Sequence, residues 1–312
     1  MVAWKRANLV RKLFKLIPFL AVGWLLLTLT GCQSQLIGLL NPKGIVAYEE
    51  RKLFFDTLAL MLIVVLPVII MSFAFIYHYQ ISHRIQDYKP NWSHSYFLEA
   101  LWWGIPCAII LVLSVLTWKK THQLDPYHKI YYFEKNTMVI QVIALPWKWL
   151  FIYPEQNIAT VNYLVIPIQR QVEYQLTTDN VPMSAFFIPQ LGSQLYAMAG
   201  MRTRLHLVAN EPGTFDGMNT QFNGDGFSEM HFTVQAVPDD ELQKWFIEIK
   251  KSPNHLTSAQ YLQLLKPSIG DKPSFYSGVE KDLFQQVITT YMTTFGTVHP
   301  RGESQKPISN SN

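Results

Sequence analysis

Glu229-Met230-His231-Phe232-Thr233-Val234-Gln235-Ala236 alternates polar and apolar side chains without a break. A period of two puts every second side chain on one face, so this stretch predicts a half-buried strand with Met230, Phe232, Val234 and Ala236 turned to a core. Outward from it, Arg204-Leu205-His206-Leu207 repeats the alternation, and Thr137 to Ala144 is a third, more apolar candidate. Pro154, Asn180, Pro189, Gly192, Gly213, Gly217 and Gly224 punctuate these runs as turn residues. The pattern predicts a β-sandwich of about seven to nine strands. Past Pro238, the acids Asp239-Asp240-Glu241 open a predicted helix carrying Leu242, Trp245, Phe246 and Ile249 at helical spacing. Tyr261 to Leu265 and Lys281 to Thr294 are further helical stretches. Residues 239–297 therefore read as a helical extension and the Ser/Asn/Pro-rich 298–312 as a disordered tail.

Upstream the pattern is apolar rather than alternating. Leu58 to Ile76 and Ala100 to Trp118 are 19 residues each without a charged side chain. At a rise of about 1.5 Å per residue such a run covers roughly 28 Å, close to the hydrocarbon thickness of a bilayer. Pro67 and Pro106 interrupt the runs, as membrane helices tolerate, and Trp92, Trp102, Trp103 and Trp118 stand where an aromatic belt belongs. A transmembrane hairpin is predicted over 54–120, with spans at about 54–77 and 98–118; buried helices of a soluble protein are the alternative. The first 31 residues carry Lys5, Arg6, Arg11, Lys12 and Lys15, then an apolar stretch from Leu16 to Leu29, then Leu29-Thr30-Gly31-Cys32. That order is a removable export signal ending in a lipobox, with Cys32 as the lipidated residue; a membrane helix with an incidental Cys is the alternative. The loop between the spans holds only Arg84 and Lys89, against Arg51, Lys52, Lys119 and Lys120 outside it, so charge alone does not set orientation. The lipobox does: a lipidated Cys32 faces outward. Segment 32–53 and the domain at 125–238 then lie in the periplasm of a bacterial inner-membrane, multi-pass lipoprotein. Cys107 sits at membrane depth, out of reach of Cys32, so no disulfide is expected.

Composition agrees with that division. Only 15% of residues are charged, where about 25% is usual, and the spans account for the deficit. An aromatic share of 14% excludes a disordered chain, and two cysteines cannot staple a small disulfide scaffold. The net charge of +4 includes the five leader residues; without them 21 Lys+Arg face 22 Asp+Glu, a net of −1. No basic nucleic-acid footprint remains.

Reactive groups are sparse. His206 and His231 fall on the polar parity of their strands and are expected to face solvent. Met183, Met198, Met201, Met218 and Met230 read as core filling rather than a thioether metal site. There is no Gly-x-Ser-x-Gly elbow and no Cys nucleophile in the exported half. Gly213, Gly217, Gly224 and Gly226 open no helix and read as turns. Glu99 stands apart, one residue before the second uncharged run. It either faces water or marks a path for protons, as ionisable groups at membrane depth do.

The order lipobox, two spans, β-sandwich resembles subunit II of the haem–copper oxidases, in its cytochrome bo-type ubiquinol oxidase branch. The likeness rests on Pro90-Asn91-Trp92-Ser93-His94-Ser95, Trp147-Lys148-Trp149, Phe151-Ile152-Tyr153-Pro154-Glu155-Gln156, Phe186-Phe187-Ile188-Pro189, Tyr196-Ala197-Met198-Ala199-Gly200-Met201 and Ala209-Asn210-Glu211-Pro212-Gly213-Thr214. It implies a membrane-anchored all-β chain: a two-helix hairpin, then a cupredoxin-like sandwich with C-terminal helices. It further implies a subunit of a proton-pumping ubiquinol:oxygen oxidoreductase that assembles with subunits I, III and IV; a copper-bearing electron-transfer subunit II of a cytochrome c oxidase, or a free-standing membrane lipoprotein acting as a binding or assembly factor, is the alternative. Haems and copper are then expected in subunit I, ubiquinol is bound by the complex, and this chain carries no cofactor.

Copper-bearing members of that superfamily hold their metal in Cys-x₃-Cys-x₃-His-x₂-Met with a His upstream. The spacing survives here with Asn219, Asn223 and Phe227 in place of the first three ligands and only Met230 retained. Pro182, Met183 and Ser184 stand near the upstream His position, and Gln221 replaces an acid between the two Cys positions. Glu99 matches the glutamate that, in this family, stands at the mouth of a proton channel. Trp147 matches an electron-entry tryptophan and, with no copper expected beneath it, reads as a packing residue.

Overall fold

A computed structural model describes residues 37–78, 94–130, 137–181 and 183–297. The predicted leader, Cys32, the loop 79–93 with Arg84, Lys89 and Trp92, Pro182 and the tail 298–312 lie outside the described residues.

Two long helices come first, α1 (Ile45–His78) and α2 (Tyr96–Gln123). Apolar side chains cover every face of both, and the core of neither is covered by protein. A helix that is apolar all round is stable only where its whole surface leaves water. Each helix continues through its proline, Pro67 or Pro106. Ser72 Oγ donates to the Val68 carbonyl at 2.7 Å and Ser114 Oγ to that of Ile110 at 2.8 Å, so neither hydroxyl is left bare on the apolar surface.

Ten strands follow within 138–237: β1 (Met138–Leu145), β2 (Lys148–Tyr153), β3 (Ile158–Val161), β4 (Tyr163–Pro167), β5 (Gln171–Thr178), β6 (Met183–Ile188), β7 (Gly192–Met198), β8 (Thr203–Val208), β9 (Gly213–Asn219) and β10 (His231–Val237). The C-terminal part holds α3 (Asp239–Ile249), β11 (His255–Leu256), α4 (Ser258–Leu264), β12 (Ser274–Tyr276), β13 (Gly278–Val279) and α5 (Leu283–Thr297). One sheet has the order β12-β3-β2-β1-β5-β8 and the other β4-β10-β9-β6-β7. Two parallel pairings, β1 with β5 and β4 with β10, interrupt otherwise antiparallel ladders. Strand β10 alternates as its sequence predicts, with Phe232, Val234 and Ala236 buried and His231 exposed. Between the sheets the core gathers Trp149, Phe151, Tyr174, Phe186 and Phe232, with the Phe186 and Phe232 rings stacked at 5.2 Å.

The count exceeds the predicted seven to nine because β2 and β3 are buried on both faces and show no alternation. Their inner face feeds the inter-sheet core. On their outer face Leu150, Ile152, Ala159 and Val161, with Ile143 and Leu145 of the neighbouring β1, form a second core with Leu256, Tyr261, Phe284, Val287 and Ile288. The C-terminal part is thus a cover laid over one sheet. Besides its helices it contributes β12 as that sheet's edge strand, paired antiparallel with β3.

Three further expectations need correcting. His206 is buried at 4% exposure, because the linker from α2 crosses β8; its Nδ1 lies 2.8 Å from the Pro126 carbonyl, to which its backbone N–H donates at 3.3 Å. Gly213 and Gly217 lie in β9, not in turns, and a Cβ on Gly217 would stand 2.1 Å from the Phe232 ring. Of the five methionines read as core filling, Met230 is fully buried while Met201 is 50% exposed.

Helix α1 begins ahead of the predicted span boundary at 54 because its first turn docks on the sandwich. Lys43 and Gly44 N–H donate to the Gln190 carbonyl at 2.7 and 3.0 Å, Ala47 N–H donates to that of Leu191 at 3.2 Å, and Asn210 N–H donates to that of Lys43 at 2.8 Å. A Cβ on Gly44 would lie 2.4 Å from the Leu191 oxygen, so only glycine fits this crossing.

Candidate functional site

The loop joining β9 to β10 carries the four positions of the metal-ligand spacing, and folding brings three of them together with Ser184. Asn219 ends β9 at 4% exposure. Its Oδ1 accepts the N–H of Ala185 at 2.8 Å and of Gln221 at 3.1 Å, while its Nδ2 donates to the Gln221 carbonyl at 2.7 Å. Asn223 Nδ2 donates to Met230 Sδ at 3.2 Å and to Ser184 Oγ at 3.4 Å. Phe227 begins a 3-10 turn and packs its ring 5.6 Å from that of Phe222. Of the residues expected near the upstream ligand, Ser184 of β6 is the one that folding brings to Asn223.

Trp147 closes this loop from above. It sits in the β1–β2 turn at φ 59°, a left-handed conformation uncommon for a bulky residue. Its Nε1–H donates to the Asn223 carbonyl at 3.2 Å, and a Cβ on Gly226 would come within 2.4 Å of its Cγ. The indole is held as a lid on the loop.

These donors do not suit a dinuclear copper centre. Soft cuprous and mixed-valence copper needs thiolate and imidazole, and the four positions offer two neutral carboxamides, a benzene ring and one thioether. Every polar atom of the Asn219 side chain is already committed to backbone, and the thioether accepts a hydrogen bond from Asn223. The arrangement can brace a loop. It supplies no bridging sulfur to share an electron.

Glu99 lies elsewhere, exposed in the first turn of α2. It lines a cavity of about 810 Å³ between the two helices, with Pro67, Met71, Trp102 and Pro106 among the walls. Glu99 shares no described cavity with the β9–β10 loop. Cys32 falls outside the described residues, and Cys107 stands exposed on α2 with a free thiol.

Two charged anchors went unpredicted. Lys148, 2% exposed, pairs with Asp271 at 2.8 Å and donates to Ser268 Oγ and to the Lys266 carbonyl at 3.2 Å. Burial alone would raise the Asp271 pKa, but hydrogen bonds from Lys148 and Ser268 and the charge of Lys148 outweigh it and hold the carboxyl below its ordinary range. Asp179 accepts from Tyr261 Oη at 2.5 Å and from Tyr291 Oη at 2.9 Å. Burial and the facing carboxylate raise both phenols, so they stay protonated. Both anchors fasten the C-terminal cover to the sandwich. A lysine inside the apolar run Trp147-Lys148-Trp149-Leu150 was the available signal, since a buried ammonium demands a partner.

Comparison with known proteins matches residues 120–237 to the family model described as cytochrome c oxidase subunit II, periplasmic domain, and residues 250–294 to that of the COX aromatic-rich motif. The chain is 46% identical over 278 residues to the cytochrome bo(3) ubiquinol oxidase subunit 2 of Pseudomonas aeruginosa, covering 88% of this chain and 82% of that one. It is 43% identical over 268 residues to the ubiquinol oxidase subunit 2 of Acetobacter aceti, covering 85% of each. To the quinol oxidase subunit 2 of Bacillus cereus it is 35% identical over 271 residues, covering 86% of this chain and 92% of the relative.

Proposed function

The chain belongs to the ubiquinol oxidase subunit 2 family, and we propose that it is the non-redox subunit of a proton-pumping terminal oxidase. The observation that carries this reading is the chemistry of the β9–β10 loop. Carboxamides stand at Asn219 and Asn223, where copper-bearing relatives have thiolates; Asn219 bonds the backbone of β6 and of the loop, and the Asn223 Nδ2 donates to Met230 Sδ and Ser184 Oγ. A lipid-soluble reductant such as ubiquinol reaches a membrane-embedded subunit directly, so it needs no metal port on the exported side. Haems and copper then reside in subunit I. This chain braces that subunit through α1 and α2 and caps it with the sandwich, alongside subunits III and IV.

Glu99 is assigned to proton entry. With the sandwich in the periplasm, the first turn of α2 lies toward the cytoplasm, and a carboxylate at the edge of an apolar cavity is where a proton path can begin. Cys32 is assigned to lipidation. Only four residues lie between it and Ile37, so over five steps of about 3.3–3.6 Å each its lipidated end falls within roughly 18 Å of the segment that leads into α1.

The test is the intact complex purified in mild detergent. Ubiquinol should drive oxygen consumption, a reduced-minus-oxidised spectrum should show haem from subunit I, and copper should match subunit I alone. Turnover on reduced cytochrome c, or two extra coppers per complex, would overturn the reading. Glu99→Ala should slow turnover several-fold and Glu99→Asp should retain most of it. Unchanged rates and pumping in Glu99→Ala would remove the proton role while leaving the rest intact.

A further inference from the structure

A second cavity, polar where the first is apolar, lies where the two long helices meet the sandwich. It measures about 430 Å³ and is enclosed by the first turns of α1, the end of α2, the linker 124–130 and strand β8. No residue of the β9–β10 loop lines it, nor does Glu99. Three ammonium groups surround it: Lys52, Lys120 and Lys129. Its two carboxylates are already engaged. Glu49 pairs with Lys120 at 2.6 Å, and Asp125 accepts the Tyr127 N–H at 2.9 Å and stands 3.8 Å from His128. Among the described residues Lys52 and Lys129 form no ion pair, so three lysines against two carboxylates give the lining one net positive charge, with Glu50 bonded to Ser193 and Glu173 3.5 Å from His206 standing behind it. Val46 and Ile130 supply an apolar wall beneath them.

The level of this cavity is set by the helices. The uncharged run of α1 starts at Leu58, shortly after Lys52, and that of α2 ends at Trp118, just before Lys119 and Lys120. Where α1 and α2 cross a bilayer, these lysines stand at the depth of lipid phosphates on the sandwich side. Two unpaired ammonium groups above an apolar wall suit one anion with a hydrocarbon tail. We propose that this cavity binds the headgroup of a membrane phospholipid, with Lys52 and Lys129 holding its phosphodiester. The lipid acts as a wedge between the hairpin and the sandwich. This inference rests on the reading of α1 and α2 as membrane spans.

The test uses the whole oxidase, delipidated and placed in phosphatidylcholine nanodiscs doped with phosphatidylglycerol, with bound lipid counted by native mass spectrometry. An ammonium at a membrane surface contributes about fivefold in affinity, so Lys52→Gln with Lys129→Gln should weaken phosphatidylglycerol retention by about 30-fold and each single variant by about fivefold. Lys250→Gln and Lys251→Gln, exposed beyond α3, should leave it unchanged. The haem spectrum reports whether each variant still assembles, and the single variants serve if the double one does not. Equal retention in wild type and double variant overturns the proposal. So does full displacement of the lipid by millimolar inorganic phosphate, which would mark a free-phosphate site. An alkaline carbonate wash separates lipid binding from membrane spanning: a chain that stays in the membrane but shows no lysine dependence overturns the lipid site alone, whereas a chain that washes off overturns the spans.

Discussion

The β9–β10 loop and the C-terminal cover each close one side of the sandwich, and they do so with opposite chemistry. The side chains at its ligand positions are uncharged: Asn219, Asn223, Ser184, Met230 and the indole of Trp147 hydrogen-bond to one another and to the backbone, with only Asn223 Oδ1 buried and unpartnered among them. The cover is held by charge, through Lys148 with Asp271 and through Asp179 with two phenols. A neutral network costs little to desolvate and is only modestly stabilising. A buried ion is expensive to strand, so its loss is felt far more than its presence. The loop should therefore tolerate substitution better than the cover.

Removing one side of the ion pair gives the sharpest contrast. Asp271→Ala leaves the Lys148 ammonium at 2% exposure without its carboxylate and should destabilise the detergent-solubilised protein by about 3 kcal/mol, seen as a lower melting temperature. Lys148→Met should cost less, about 1 kcal/mol, because Asp271 is 32% exposed and water can take over its solvation. If the two variants melt alike, the ion pair has no such asymmetry. Asp179→Ala comes next. It deprives Tyr261 and Tyr291 of a shared charged acceptor and should cost about 2 kcal/mol, with faster proteolysis confined to residues after 250.

In the loop the effects shrink. Asn219→Ala strands the backbone N–H of Ala185 and Gln221 and should cost about 1–2 kcal/mol, while Asn223→Ala, whose bonds are longer, should cost about 1 kcal/mol or less. A loop variant costing more than Asp271→Ala would invert the comparison.

Acid supplies the smallest and most specific probe. Because folding lowers the Asp271 pKa, its contribution is complete above the ordinary carboxyl value of 3.8 and is lost as pH falls through the lower folded value. Melting temperature followed downward from pH 5 should fall more steeply in wild type than in Asp271→Asn, and parallel curves would exclude the coupling.

Legibility followed the same division. Strand β10 could be read directly, since one of its faces meets solvent and alternation survives. Strands β2 and β3 could not, because a cover from more than a hundred residues away buries their second face and erases the period. The metal-ligand spacing from Asn219 to Met230 was legible as a string, but that Ser184 joins it depended on β6 pairing with β9. His206 was misread for a related reason: parity places it outward, and the linker at Pro126 then covers it.

Sequence alone therefore determined whatever local periodicity and residue chemistry control: two helices with long apolar runs, a β-sandwich, a ligand spacing emptied of thiolate and imidazole, and a lone carboxylate at a helix head. Tertiary structure decided which polar groups meet. The Lys148–Asp271 pair, the carboxylate shared by Tyr261 and Tyr291, and the basic cavity between hairpin and sandwich all join residues far apart in the chain. No local pattern encodes such meetings, because the free energy that selects them is the cost of burying a charge, and burial exists only once the distant surfaces have closed over it.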